Sequence, residues 1–380
     1  MRTVHRSIAR RFVTSFILVG ALVLGVRAAS AQTSVGGVVY AQYQYNAAKD
    51  SLTADSSIQH ISNFDITRAY LTVTGRFPGG IATRVTADVF TNGNIPGSRA
   101  FRLKYAYVTW TPDSSHLTFK LGQMHTPLLD WEEALWDYRM QGQMAMERGS
   151  PITGISYVSS SDFGIGVEGK WSADRLNFQV GIYNGENYNG ALGDNRKDLM
   201  GRVSYRILDT DDGTRVGGLR FTLYGQHGTP SSGGRRNRLL GMLSYRTTNL
   251  TVAAEYAITR DSVRGGPTAV NNGAIAAASP LRNGRVISAF GVFHFPRTRY
   301  AIIARVDITD PQTDSTAAAP GVSDKTTRTI LGASYQLTPN LRLLADVDLL
   351  SFESSFAPAA GNYATYANRN SAFFQAMFTF

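Results

Sequence analysis

The segment from Asn370 to Phe380 constrains the chain most. Read at period two, Ala372, Phe374, Ala376, Phe378 and Phe380 share one face, and Phe373, Gln375, Met377 and Thr379 share the other. A strand of about ten residues is what a tilted strand needs to cross a bilayer. Lipid leaves no water to satisfy a strand's edges, so such a strand requires a closed barrel.

The other end gives a matching address. Arg2, Arg6, Arg10 and Arg11 precede an apolar run from Phe12 to Val26, followed by Ala29, Ser30 and Ala31. This is the pattern of a secretory signal with an A-x-A site, and it predicts cleavage after Ala31. The run is shorter than the roughly 18 residues of a transmembrane helix, and no other long apolar stretch exists. Residues 1–31 are therefore expected to be a signal peptide and 32–380 the folded domain. Loss of five arginines lowers the balance from +10 to 33 basic against 28 acidic residues, or +5.

Zero cysteine excludes disulfides and thiolate metal sites. Charged residues make up only 17% of the chain, and the basic ones are scattered singly along alternating segments. A nucleic-acid binder would gather them in one patch, so no nucleic-acid partner is expected.

Short alternating segments recur from residue 35 onward. In 64–77, Ala69, Leu71, Val73 and Phe77 oppose Arg68, Tyr70, Thr72, Thr74 and Arg76. In 81–91, Ile81, Val85, Ala87 and Val89 oppose Arg84, Thr86 and Asp88, with a tight turn at Pro78, Gly79 and Gly80. Further hairpins are predicted for 101–111 with 116–123, 163–172 with 175–184, 198–207 with 218–228, 238–247 with 250–260, 285–295 with 299–309, and 327–337 with 340–352. With strands near 35–45 and 370–380 the count is sixteen. Termini on one side require an even number, which assigns 152–162 to the preceding loop. Charge in mid-strand, as in Arg202, Ser204, Arg206 or Arg342, Asp346, Asp348, separates this pattern from a soluble sandwich: those faces need a wet lumen. The fold class is all-β, a transmembrane antiparallel barrel with short periplasmic turns and long outer loops.

Residues 124–150 break the alternation with the longest connection between clear hairpins. Asp130, Trp131, Glu132, Glu133, Ala134, Leu135, Trp136, Asp137 and Tyr138 read as a short helical piece. A barrel this wide leaves an aqueous channel, and the expectation is that this loop folds inward as a constriction, its aromatics on the wall and its charges toward the solute. An outer lid without a part in selectivity is the alternative.

At this point the chain resembles the phosphate-selective porins O and P. The resemblance is carried by Asp65, Ile66, Thr67, Arg68, Ala69 leading to Gly75, Arg76, Phe77; by Tyr105, Ala106, Tyr107, Val108; by Leu121, Gly122, Gln123, Met124; and by Met146, Glu147, Arg148. Phe163 to Val167, Gly181 to Gly185 and the aromatic at Phe380 extend it, the last being a residue type that barrel-assembly machinery reads. It implies a sixteen-stranded homotrimer in the outer membrane of a Gram-negative-type bacterium, with the constricting loop inside. Phosphate-specific members use lumenal arginines and a lysine cluster on that loop. Here no lysine lies between His125 and Arg148, where Asp130, Glu132, Glu133, Asp137 and Glu147 outnumber Arg139 and Arg148.

The strand faces assigned inward carry Arg68, Arg76, Arg84, Arg102, Lys104, Lys120, Lys170, Arg202, Arg206, Arg220, Arg305, Arg328 and Arg342, against Asp88, Glu168, Glu255, Asp307, Asp346 and Asp348. A basic surplus in a narrow low-dielectric tube favours anions. The alternative is that these arginines pair with carboxylates and stiffen the wall. The histidines show no metal spacing, HExxH and GxSxG are absent, and Asp209 to Gly213 lacks the Glu of a calcium loop, so no cofactor or metal is expected. With the first strand opening just after the cleavage site, no plug domain is expected either. The resulting expectation is a passive, non-enzymatic porin in contact with lipid, conducting small hydrophilic solutes with a mild preference for anions such as phosphate. A barrel enzyme and a closed structural or adhesive barrel are the alternatives.

Overall fold

A computed structural model describes residues 32–46, 62–91, 98–151, 156–190, 195–230, 234–263, 282–313, 324–353 and 369–380. The expected signal, residues 1–31, lies outside them. The strands are β1 (Gln32–Asn46), β2 (Ser62–Phe77), β3 (Ile81–Thr91), β4 (Arg99–Trp110), β5 (Leu117–His125), β6 (Ser161–Trp171), β7 (Leu176–Tyr183) and β8 (Asp198–Leu208). They continue with β9 (Gly218–Gly228), β10 (Gly234–Arg246), β11 (Leu250–Val263), β12 (Arg282–His294), β13 (Tyr300–Asp310), β14 (Thr326–Thr338), β15 (Leu341–Phe352) and β16 (Arg369–Thr379). All sixteen pair antiparallel with their chain neighbours and close into one barrel where β1 meets β16.

That seam uses the terminal residue. The Gly37 amide donates to the Phe380 carbonyl at 2.9 Å, and the Phe380 amide returns a bond to Gly37 at 3.1 Å. A side chain at Gly37 would collide with the Phe380 ring and the Tyr70 carbonyl, so glycine lets the terminal aromatic lie on the seam.

Alternation holds on the outer face. Leu71, Val85, Val108, Leu121, Ile165, Leu223, Leu243, Tyr256, Ile302, Leu331, Phe374 and Phe378 are exposed there, while their sequence neighbours point inward. Register shifts interrupt four of the strand pairs, and two of them bear on the lumen. In β2, Arg68 pairs with Tyr40 and Ile66 with Ala41, so Thr67 is extra and Phe64 and Ile66 turn outward. In β4, Tyr105 pairs with Thr86 and Leu103 with Ala87, leaving Lys104 extra. Lys104 and Tyr105 are consequently both buried inside, which strict period two forbids.

The termini share the end with the short turns at 78–80, 247–249 and 339–340, as parity requires. β6 opens at Ser161, so of the 152–162 stretch expected in the connection, residues 156–160 lie there, while Ser161 and Asp162 already pair with β5. The core sits within the lumen, where that connection meets the inner wall.

Candidate constriction zone

β5 and β7 are short, at nine and eight residues against sixteen in β2, so the wall is low where the long connection leaves it. Thr126 ends β5 by bonding back to Ser160 at 3.2 Å, and the chain then turns into the barrel. Arg202 meets it there, donating to the Pro127 carbonyl at 3.1 Å with its guanidinium 4.0 Å from the Trp131 ring. Helix α1 (Leu129–Trp136) follows, stopped by Asp137 in the left-handed region, then a 3₁₀ turn (Arg139–Gln141) and the single-turn helix α2 (Ala145–Arg148).

The loop enters because one side of the lumen is apolar. Leu240, Met242, Ala253, Ala257, Val286, Phe290, Val292, Ile303, Ile330 and Leu344 point inward from β10 to β15, against Leu128, Leu129, Trp131, Leu135, Trp136, Met140, Met144 and Met146 of the loop. Trp136 meets Phe290 edge-on at 5.5 Å. Full burial of a Leu- or Met-sized side chain stabilises by roughly 1.5–3 kcal/mol, so this surface alone seats the loop firmly.

Polar ties fix its register. Arg246 donates to the Ala134 carbonyl at 2.8 Å, and Arg342 to the Asp137 carbonyl at 2.8 Å with the Asp137 carboxylate 3.2 Å away. Arg215, in the long turn after β8, reaches up to Asp130 at 2.7 Å. Burial raises the Asp130 carboxyl's affinity for protons, but His125 and Arg215 outweigh it and hold the group below its ordinary range. Tyr138 shares a 2.6 Å hydrogen bond with Ser334, Arg238 donates to the Tyr157 carbonyl at 3.1 Å, and Arg148 lies 3.7 Å from Asp307.

The other side of the loop faces a different wall. Arg139 bridges Glu133 at 3.1 Å and Glu147 at 2.7 Å. Burial opposes charge on Glu147, yet Arg139, Lys104 and Arg68 together keep it ionised below the usual carboxylate range. Burial raises Glu133 instead, with Arg139, Lys104 and Arg68 partly offsetting it. The wall here carries Arg68, 3.6 Å from Asp88; Arg102, 2.9 Å from the same carboxylate; and Lys120, 2.5 Å from Glu168. Arg84 has no carboxylate partner among the described residues and lies 4.8 Å from the Tyr105 ring. Lys104 donates to Ser160, and the ring of Tyr188, from the loop after β7, covers it at 3.7 Å and also meets Arg102 at 4.8 Å.

The residues expected to line the pore therefore divide. Arg68, Arg84, Arg102, Lys104 and Lys120 gather on β2 to β5 opposite Arg139, Glu133 and Glu147. Arg202, Arg305 and Arg342 are committed to the docked loop, Arg305 holding Asp307 at 2.6 Å and touching Met144. Arg328 pairs with Asp348 beside it. Arg220 is wholly buried on the Gly217 and Asp174 carbonyls, both at 2.9 Å. Arg206 pairs with Asp209 at 2.8 Å, and Arg76 and Lys170 stand exposed near the short-turn end. On the loop, Glu132 faces Glu255 in the packed interior, while Asp130 and Asp137 are tied to wall arginines, so these three meet protein before solute. Burial and the neighbouring Glu255 push the Glu132 carboxyl well up. Arg215, Arg238, Arg246, Tyr105 and Tyr188 were not foreseen. Arg238 and Arg246 share the inward face of β10 with Leu240 and Met242, a mixture of charge and apolar surface whose meaning shows only once the loop is docked on it.

A closed sixteen-stranded barrel narrowed by its longest connection is the architecture of an outer-membrane porin. The sequence profile of the phosphate-selective porin O and P family matches residues 38–272, and the chain belongs to that family. No curated protein sequence matches it. The fold is shared with an anion-selective porin from Comamonas acidovorans at 13% identity and a TM-score of 0.59, covering 92% of this chain and 100% of that one. It is shared equally with the outer-membrane OmpT of Vibrio cholerae at 9% identity and a TM-score of 0.58, covering 93% and 99%.

Proposed function

We propose that the protein is a passive, non-enzymatic channel for small hydrophilic anions, and that these pass along the β2 to β5 wall. One observation carries the reading. Between loop and wall, Arg68, Arg84, Arg102, Lys104, Lys120 and Arg139 stand against Asp88, Glu168, Glu133 and Glu147, and Arg84 and Lys104 have no carboxylate partner among the described residues. A small surplus in a confined, weakly screened space selects by sign of charge. Without lysines on the loop, the selection is for anions as a class and not for phosphate above others. The family and the anion-selective porin of the same fold support the reading. Residues 1–31 serve as the export signal, and the working form is a homotrimer. Purified protein in a planar bilayer under a salt gradient tests the channel: the reversal potential should carry the sign of anion permeation at low salt. A cation-selective or non-conducting protein would refute it.

A further inference from the structure

Three arginines of the outer face stand on neighbouring strands at one end of the barrel. On β10, β11 and β12, Arg235, Arg260 and Arg285 point outward, since their neighbours Arg236, Thr259 and Gly284 point in. All three side chains are exposed. They sit at the long-loop end, just beyond the lipid-facing Leu239, Ile258 and Ile287. Register puts Arg260 level with Asn237 and, across β10, with His227 of β9. Register sets Arg235 level with Ser262 and Arg285 level with Ile258, so with strands about 4.8 Å apart and about 3.4 Å per residue the three arginines run as a diagonal of about 16 Å over the sheet.

Two of the three charges have no carboxylate partner among the described residues. Arg285 pairs with Asp310 at 3.0 Å, but Arg235 and Arg260 form no ion pair with any described residue. The sequence offers little else: from 229 to 284 the only acids are Glu255 and Asp261, the first inside the lumen and the second paired with Arg238 at 2.9 Å. The connections 229–233 and 264–281 contain no Asp or Glu and add Arg264. Elsewhere on this rim, Lys325 pairs with Glu353 at 2.7 Å and Arg99 pairs with Asp65.

We propose that Arg235, Arg260 and Arg285 form a docking surface for the phosphate groups of the outer-leaflet glycolipid, whose acyl chains lie along Leu239, Ile258 and Ile287. A guanidinium fork matches phosphate oxygens two at a time, and the position at the edge of the apolar band puts it at headgroup height. The surface faces away from the lumen and acts independently of conduction.

The test uses the purified protein in detergent with diphosphoryl lipid A, monophosphoryl lipid A, phosphatidylcholine or inorganic phosphate added. Retained lipid is read by native mass spectrometry, and barrel unfolding by heat-dependent gel mobility. Diphosphoryl lipid A should be retained most and should raise the unfolding temperature. The R235Q/R260Q/R285Q variant should weaken its retention by about tenfold or more. The corresponding triple lysine variant should recover part of it, and K325Q on the paired part of the rim should change nothing. Single-channel conductance should match the parent in every case, which also verifies folding. Equal retention by parent and triple glutamine variant, no preference for the diphosphoryl lipid over phosphatidylcholine, or retention of inorganic phosphate alone would each overturn the proposal.

Discussion

The inner wall of this barrel has two characters, and the loop that narrows it sits between them. From β10 to β15 the inward positions hold Met242, Ala257, Phe290, Ile303 and Ile330, and the loop's tryptophans and methionines close over them. From β2 to β5 they hold Arg68, Arg84, Arg102, Lys104 and Tyr105. Both walls face inward, the charged one with the added β4 bulge that turns Lys104 and Tyr105 in together. What separates them is the chemistry of the inward side chain, apolar and packed against the loop on one side, charged and held by carboxylates or aromatic rings on the other. The apolar wall fixes where the loop stands, and in the function proposed above the charged wall sets what passes beside it.

The largest effect is expected from undoing the first wall. Trp131→Ala with Trp136→Ala removes the two largest anchors, at roughly 3–5 kcal/mol each for fully buried tryptophan. The loop should leave its seat while the ladder of strands stays intact. Single-channel conductance should rise and fluctuate, with unchanged heat-dependent mobility of the barrel. Parental conductance in the double variant would show that the loop is held by its arginine ties alone.

The second wall is broken by Arg68→Gln, Arg84→Gln and Lys104→Gln together. The anion-over-cation permeability ratio should fall by roughly two- to fivefold, about 0.4–1 kcal/mol, and the loss should fade at 1 M salt, where the screening length is about 3 Å. Glu133→Gln with Glu147→Gln should move the ratio the other way. Asp130→Asn and Asp137→Asn should instead loosen the loop, because each frees a wall arginine that now holds it. A selectivity change without loosening would place those two acids in the path of the solute.

This division shows how far the sequence could be read. Sixteen strands, their faces, the even parity and the helical piece in residues 124–150 follow from period two and its interruption, which are local properties. The β4 bulge is also local, but nothing in Leu103, Lys104, Tyr105 announces which residue is extra until Thr86 and Ala87 are set beside them. The pairing of Arg215 with Asp130 or Arg342 with Asp137 depends on where the loop lands. Met242 and Phe290 were readable as inward and apolar, yet an apolar inward residue has no meaning before its partner is known. Loop docking and cross-barrel ion pairs are therefore the parts that lay beyond the sequence.

A pH titration sharpens the contrast from the packed side. Glu132 of α1 faces Glu255 of β11, with Arg305 and Asp307 of β13 and Glu133 of its own helix around it. Its carboxyl is raised well above the ordinary 4.5 by burial and by Glu255, so the docked loop binds a proton that a released loop gives up. Docking stability is then fully present below the ordinary value and declines as pH rises above it. Conductance noise from loop motion should grow with alkalinity in the parent. Glu132→Gln, which keeps the shape and removes the titration, should flatten that trend; an unchanged profile would show that the acid pair does not govern docking.

The smallest effect concerns the covering of the charged wall. Tyr188 stands 3.7 Å from Lys104 and 4.8 Å from Arg102, and Asn189 accepts from Arg102 at 2.8 Å, so the loop after β7 shades two of the cations that the first loop leaves open. A cation held against an aromatic face gains about 0.5–2 kcal/mol, part of which is lost attraction for a passing anion. Tyr188→Ala should uncover both groups and raise the anion-over-cation ratio by roughly 1.5-fold at low salt, whereas Tyr188→Phe, which keeps the ring, should stay close to the parent. If the alanine variant instead lowers the ratio, Tyr188 positions Lys104 for the solute and does not shade it. The charged wall would then be a built arrangement held from above, much as the apolar wall is held from within.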